Sequence, residues 1–232
     1  MCLIAFAHRA SARYPFLFAA NRDEDYERPT LDADFWSDAP DILGGRDALH
    51  GGTWLAVSRA GRFAAVTNLR GAIPRSRSRG ALVSDFVRTD IDVRAYADEV
   101  ARHAGEYSGF HLLAGTIGGE AMYIAPQEQK LLAPGVYSVS NAPVGESWPK
   151  MDRAVAAMTS ALALENPIDN LLTFLSTPHG GTFESEAFIA GDRYGTRSST
   201  VIAASATGLV FVERSYGRSG VARGEPRMFR IA

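Results

Sequence analysis

A lone cysteine, Cys2, stands directly after Met1. Its side chain is small enough for methionine aminopeptidase, so the mature chain is expected to begin with Cys2. A terminal cysteine carries a thiol of pKa about 8.5 beside its own amine of pKa about 7.7–8.0. One residue then supplies both nucleophile and general base, the pairing needed to attack an amide or thioester carbonyl. A cysteine at the start of a strand is equally well read as a small buried hydrophobe. The residues around it must decide.

Leu3–His8 and residues 16–21 are apolar and β-prone, joined by a turn-like stretch at 9–15. In an antiparallel pair, facing residue numbers have a constant sum. Here the sum is near 24, which sets Cys2 opposite Arg22, give or take two positions. The run Asn21-Arg22-Asp23-Glu24 then lies beside the thiol. A guanidinium there would favour thiolate and lower its pKa, and a carboxylate would orient the terminal amine. A solvated polar loop end fits the same four residues.

The rest of the chain reads as the frame for this site. Residues 22–52 form a polar, turn-rich excursion, and 54–58 with 63–68 make a hairpin. Helices are expected at 80–88 and 93–104, and a second hairpin pairs 110–117 with Ala121–Ala125 across Gly118-Gly119. Residues 136–140 form a strand. Residues 148–164 form the clearest helix, with Met151, Val155, Met158 and Leu162 as its apolar stripe. After a helix at 167–175, a hairpin joins 199–205 to 209–214, and 228–231 add an edge strand. Strand hairpins in both halves with helices between them argue for an α+β layered domain.

Taken in order, many separated motifs of this chain resemble one family. They are Met1-Cys2-Leu3-Ile4, Ala19-Ala20-Asn21-Arg22-Asp23-Glu24, Arg28-Pro29, Gly44-Gly45-Arg46-Asp47 and Gly51-Gly52-Thr53-Trp54. The likeness continues through Thr67-Asn68, Ser78-Arg79-Gly80, Ser140-Asn141-Ala142, Trp148-Pro149-Lys150, residues 194–201 and Phe211-Val212-Glu213-Arg214. This pattern is similar to that of the NRDE-domain family, the family of transport and Golgi organisation protein 2. The resemblance implies a single domain over 1–232, an αββα sandwich of the N-terminal-nucleophile hydrolase type. It is also distantly similar to the cholylglycine hydrolase and penicillin V acylase group.

By that likeness Cys2 is the nucleophile, Asp23 the aspartate that follows it, and Asn68 and Asn141 the asparagines of the oxyanion site. Arg22 departs from the acylase pattern, in which the arginine falls a few residues earlier. Arg197 matches the late arginine, as a ligand for a substrate carboxylate. Asn21, Trp54 and His50 complete the expected substrate-binding set. The leading expectation is therefore hydrolysis of a small-molecule amide or thioester with no cofactor. Members of the family have been associated with haem mobilisation, so the resemblance also implies a second reading, a non-catalytic carrier with haem or another hydrophobic cofactor as cargo.

Composition limits the other classes. Net charge is −2, which favours neither nucleic acid nor an anionic membrane as partner. No apolar run approaches the roughly 18 residues of a membrane span. His8, His50, His103, His111 and His179 show no metal-ligand spacing, and one cysteine permits no internal disulfide. The expected partner is a small molecule and the expected location cytoplasmic, while the oligomeric state stays open.

Overall fold

The computed structural model describes residues 2–231. Following the chain, β1 (Leu3–His8) and β2 (Phe16–Asp25) form the first hairpin, and β3 (Thr30–Trp36) and β4 (Ala39–Asp47) the next. β5 (Leu55–Ser58) and β6 (Arg62–Asn68) lead into helices α1 (Arg79–Val87) and α2 (Val93–His103). Strands β7 (Phe110–Thr116), β8 (Ala121–Ala125), β9 (Glu128–Leu131) and β10 (Gly135–Val139) follow, then helices α3 (Pro149–Ala161) and α4 (Ile168–Ser176). The chain ends on β11 (Tyr194–Ser205), β12 (Gly208–Ser215) and β13 (Arg227–Ile231). Expected hairpins and helices are present, but residues 22–52 are not a loop. They hold the end of β2 and the whole of the β3–β4 pair. Among the described residues no helix is long and apolar enough to cross a membrane.

Contacts group the described chain into two compact units. The first comprises the segments up to Glu27 and from Pro134 on. Its sheet runs β10-β1-β2-β11-β12-β13, with every neighbouring pair antiparallel. One face carries Leu3, Ala5, Ala7, Leu17, Ala19 and Val201, packed with α3 and α4. Its alanines let α3 approach closely through its own small residues, Ala154 and Ala161. The other face carries Phe6, Phe16 and Phe18, also buried, with ring centroids 6.0–6.4 Å apart. Burial on both faces explains why β1 reads as an unbroken apolar run rather than an alternating one.

The second unit, Arg28–Ala133, is a seven-stranded antiparallel sheet in the order β3-β4-β5-β6-β7-β8-β9. Ala56, Ala64, Leu112, Ala114 and Ile124 pack against Leu82 and Phe86 of α1 and Tyr96 and Ala97 of α2. Both helices start on side-chain caps, Ser78 accepting from Gly80 N and Asp92 from Arg94 N. Arg62 lies over the Phe86 ring and donates to Phe86 C=O and Ile91 C=O, which closes the end of α1.

Candidate active site around Cys2

The ladder between β1 and β2 pairs Leu3 with Asn21 and keeps a constant sum as far as His8 opposite Phe16. Cys2, one step before Leu3, falls across from Arg22, as the hairpin arithmetic requires. On its other side β10 ends at Val139, opposite Ile4, and the chain passes into Ser140 and Asn141. Ser140 Oγ donates to the Cys2 carbonyl at 2.8 Å, and Cys2 N donates to Asn141 Oδ1 at 2.7 Å. Two side chains thus replace the ladder where the strand stops. Asn141 holds the Cys2 nitrogen and Ser140 its carbonyl. Met1 itself lies outside the described residues.

β2 continues past Asn21 because β11 pairs with it as far as Tyr194 opposite Asp25. A shift of register between Thr196 and Ser198 turns the Thr196 hydroxyl onto Asp23 Oδ1 at 2.7 Å. Thr196 Oγ1 in turn accepts from Ile189 N at 3.0 Å, and Tyr194 OH donates to the Asp23 carbonyl at 3.0 Å. Burial pushes the Asp23 carboxyl up from its ordinary pKa, opposed by the Thr196 hydrogen bond and the positive charges of Lys150 and Arg22.

Cys2 is half-buried. Burial pushes its thiol up and the Asp23 charge adds to this, while an Asp23 main-chain hydrogen bond and Arg22 pull it down. Arg22 acts in the expected direction, lowering the thiol pKa, but its effect is smaller than that of burial. Loss of water outweighs the field of a guanidinium that is itself paired with Glu24 Oε2 at 3.7 Å.

Two residues of this site escape a reading of types alone. Thr196 lies in a motif stretch, but nothing local shows that β11 lies against β2. Lys150 is fully buried at the start of α3. Its ammonium lies 5.5 Å from the Trp148 ring centroid and 5.4 Å from that of Phe183. Burial pushes its pKa down, while Asp23, Cys2, Glu184 and Glu186 hold it up. The Trp148-Pro149-Lys150 motif was its only signal.

Other expected site residues have different surroundings. Asn21 is buried, its Nδ2 donating to Leu175 O and Ala187 O at 2.7 Å each, and its Oδ1 accepting from Ser199 Oγ at 2.6 Å. It pins α4 and the following loop to β2, rather than facing a ligand. Arg197 is 8% exposed and donates to the main-chain oxygens of Asp25 and Tyr26 at 2.9 and 3.0 Å. In the second unit, Asn68 is exposed at the end of β6, opposite Phe110. Trp54 lies with its ring against Gly45. His50 Nδ1 is exposed, 2.9 Å from an Arg28 nitrogen that also bonds Asp47 at 2.7 Å.

This fold has counterparts among solved structures. A penicillin V acylase from Agrobacterium tumefaciens aligns with a TM-score of 0.58 at 12% identity, covering 99% of this chain and 85% of that one. The C2A mutant of conjugated bile acid hydrolase from Clostridium perfringens aligns with a TM-score of 0.58 at 10% identity, covering 100% and 92%. The fold is the α+β fold of the N-terminal-nucleophile hydrolases. At the level of sequence, the family model described as Transport and Golgi organisation 2 matches residues 1–218. A human protein, "Transport and Golgi organization protein 2 homolog", is 32% identical over 100% of this chain and 99% of its own length. Its bovine counterpart is 33% identical over 93% of each. The chain belongs to the transport and Golgi organisation 2 family.

Proposed function

We propose that the protein is a cysteine N-terminal-nucleophile hydrolase that cleaves an amide or thioester of a small molecule. The observation that carries this reading is the 2.7 Å hydrogen bond between Cys2 N and Asn141 Oδ1. An acceptor fixed on that nitrogen would orient the α-amine for proton transfer once Met1 is removed. The two aligned structures support the class, since their names describe an acylase and a hydrolase.

After removal of Met1, the Cys2 thiol gives its proton to its own α-amine, and the thiolate attacks the substrate carbonyl carbon. The carbonyl electron pair moves to oxygen, and the Asn141 carboxamide carries donors of the kind an oxyanion needs. Collapse of the intermediate breaks the bond to the leaving nitrogen or sulfur, which takes the proton from the α-ammonium. Water then attacks the Cys2 thioester with the amine as base, releasing the acid and restoring the thiol. Asp23, held by Thr196, keeps negative charge near the ammonium as it forms.

The test joins intact mass to turnover. Protein that has lost Met1 should hydrolyse a member of an acyl-amide and acyl-thioester panel. A form blocked by an N-terminal extension should be at least about 100-fold slower, the usual scale of general-base catalysis. Cys2→Ala should abolish turnover. Hydrolysis unaffected by Cys2→Ala, or saturable haem binding with no hydrolysis at all, would overturn the proposal.

A further inference from the structure

The chain has only two lysines, Lys130 and Lys150. Lys130 is exposed on β9, whereas Lys150 is fully buried on α3. Its neighbours along the buried face of that helix are Ala154, Met158 and Ala161. A methionine would fill such a position without the cost of removing an ammonium from water. What surrounds the ammonium is suited to a cation. The Trp148 and Phe183 rings lie within cation–π distance of it.

The charged and titratable groups whose fields act on it come from three regions of the first unit. Asp23 is on β2 and Cys2 lies just before β1, while Glu184 and Glu186 belong to the loop after α4. Glu186 is also engaged by main-chain donors, His179 N and Gly180 N at 2.8 Å each. Arg22 acts on the same cysteine and aspartate from β2. Ala142, next to the Asn141 that binds Cys2 N, packs in one cluster with Trp148, Met151 and Phe183. The ring cage of Lys150 and the clasp on Cys2 therefore share a wall.

We propose that Lys150 is a positioning residue of the cysteine site, a buried cation whose charge keeps Asp23 ionised and favours the Cys2 thiolate. It transfers no proton, and its field adds to that of Arg22. This rests on the reading of Cys2 as nucleophile. It explains how a thiol whose own burial opposes ionisation still reaches its reactive form. A site holding Asp23 and a thiolate would otherwise bring two negative groups together out of water.

Two lysines make the test direct. In full-length protein carrying 13C,15N-lysine, the two side-chain signals are titrated by NMR, with Lys130→Arg for assignment. Lys150 should titrate below the ordinary range of a lysine. Its midpoint should fall by more than about half a unit in Asp23→Asn, and again in Cys2→Ala, because the coupling of two sites is reciprocal. In Lys150→Met the pH midpoint of Cys2 alkylation should rise by a similar amount, and Lys150→Arg should restore some of the loss. If Lys150→Met fails to fold, the titration of the lysine-bearing proteins still decides. A Lys150 midpoint unmoved by either substitution overturns the inference. Coupling without Cys2-dependent turnover would sink the proposed hydrolysis alone, and turnover without coupling would sink this inference alone.

Discussion

Two asparagines near Cys2 show how one residue type serves two ends. Asn21 spends its amide inside unit one, joining Leu175 O, Ala187 O and Ser199 Oγ. Asn141 gives its oxygen to Cys2 N. Replacing Asn21 by Ala would strand three buried polar groups, so a loss on the order of 2–4 kcal/mol is expected. Denaturant unfolding measures it, and wild-type stability in Asn21→Ala would refute the pinning role. The thiol carries its own prediction. Burial raises the Cys2 pKa, so at neutral pH the protonated thiol dominates in protein that retains Met1. Iodoacetamide should then react more slowly than with a free model thiol at pH 7, with a midpoint above about 8.5. A midpoint below that value would show that Arg22 outweighs burial after all.

At the scale of elements, the paired glycines of β4 illustrate what local reading misses. Gly44 and Gly45 look like turn residues, yet both lie inside the strand. A Cβ on Gly44 would come within 2.5 Å of Leu55 O and 3.1 Å of Ala56 Cα on the neighbouring strand. Gly44→Ala must therefore push the β4 and β5 backbones apart, at a cost of roughly 1–3 kcal/mol. A thermal melt would detect this, and an unchanged melting temperature would mean that β4 and β5 separate freely. Hairpins whose turns carry a positive-φ glycine, such as Gly61, Gly118 and Gly208, were legible because their chemistry is local. So was the register that brings Arg22 to Cys2, since one short hairpin determines it. The β3–β4 pair was not legible, because its glycines answer to another strand. The α3 stripe shifted for a related reason. The helix buries Lys150, Ala154, Met158 and Ala161, leaving Met151, Val155 and Leu162 only half-buried. Small residues suit the alanine-rich face of β1, and the lysine answers to the site; neither demand is visible in an apolar periodicity.

On the scale of the whole molecule, the candidate site depends on contacts between segments far apart in the chain. β1 and β2 lie between β10 and β11, so Cys2 and Asp23 meet Asn141 and Thr196 only after residues far apart in sequence have paired. Such pairings are slow to form, because chain entropy is lost before the contacts compensate for it. They also tie the site to the stability of the unit's central strands rather than to a local loop. Both main-chain groups of Cys2 are bonded to residues just beyond β10, and β10 stays in place only while it is paired with β1. Since Cys2 is the sole cysteine, its modification reports on this one place. Along a denaturant series, thiol reactivity and amide exchange should be followed on the same samples. Full exposure of Cys2 should coincide with loss of protection in peptides covering residues 4–7, 17–20 and 200–204, as expected for one cooperative unit. A thiol that becomes fully reactive at denaturant concentrations where those amides remain protected would show instead that the site opens by local fraying, with Ser140 and Asn141 too weak a clasp to join it to the sheet.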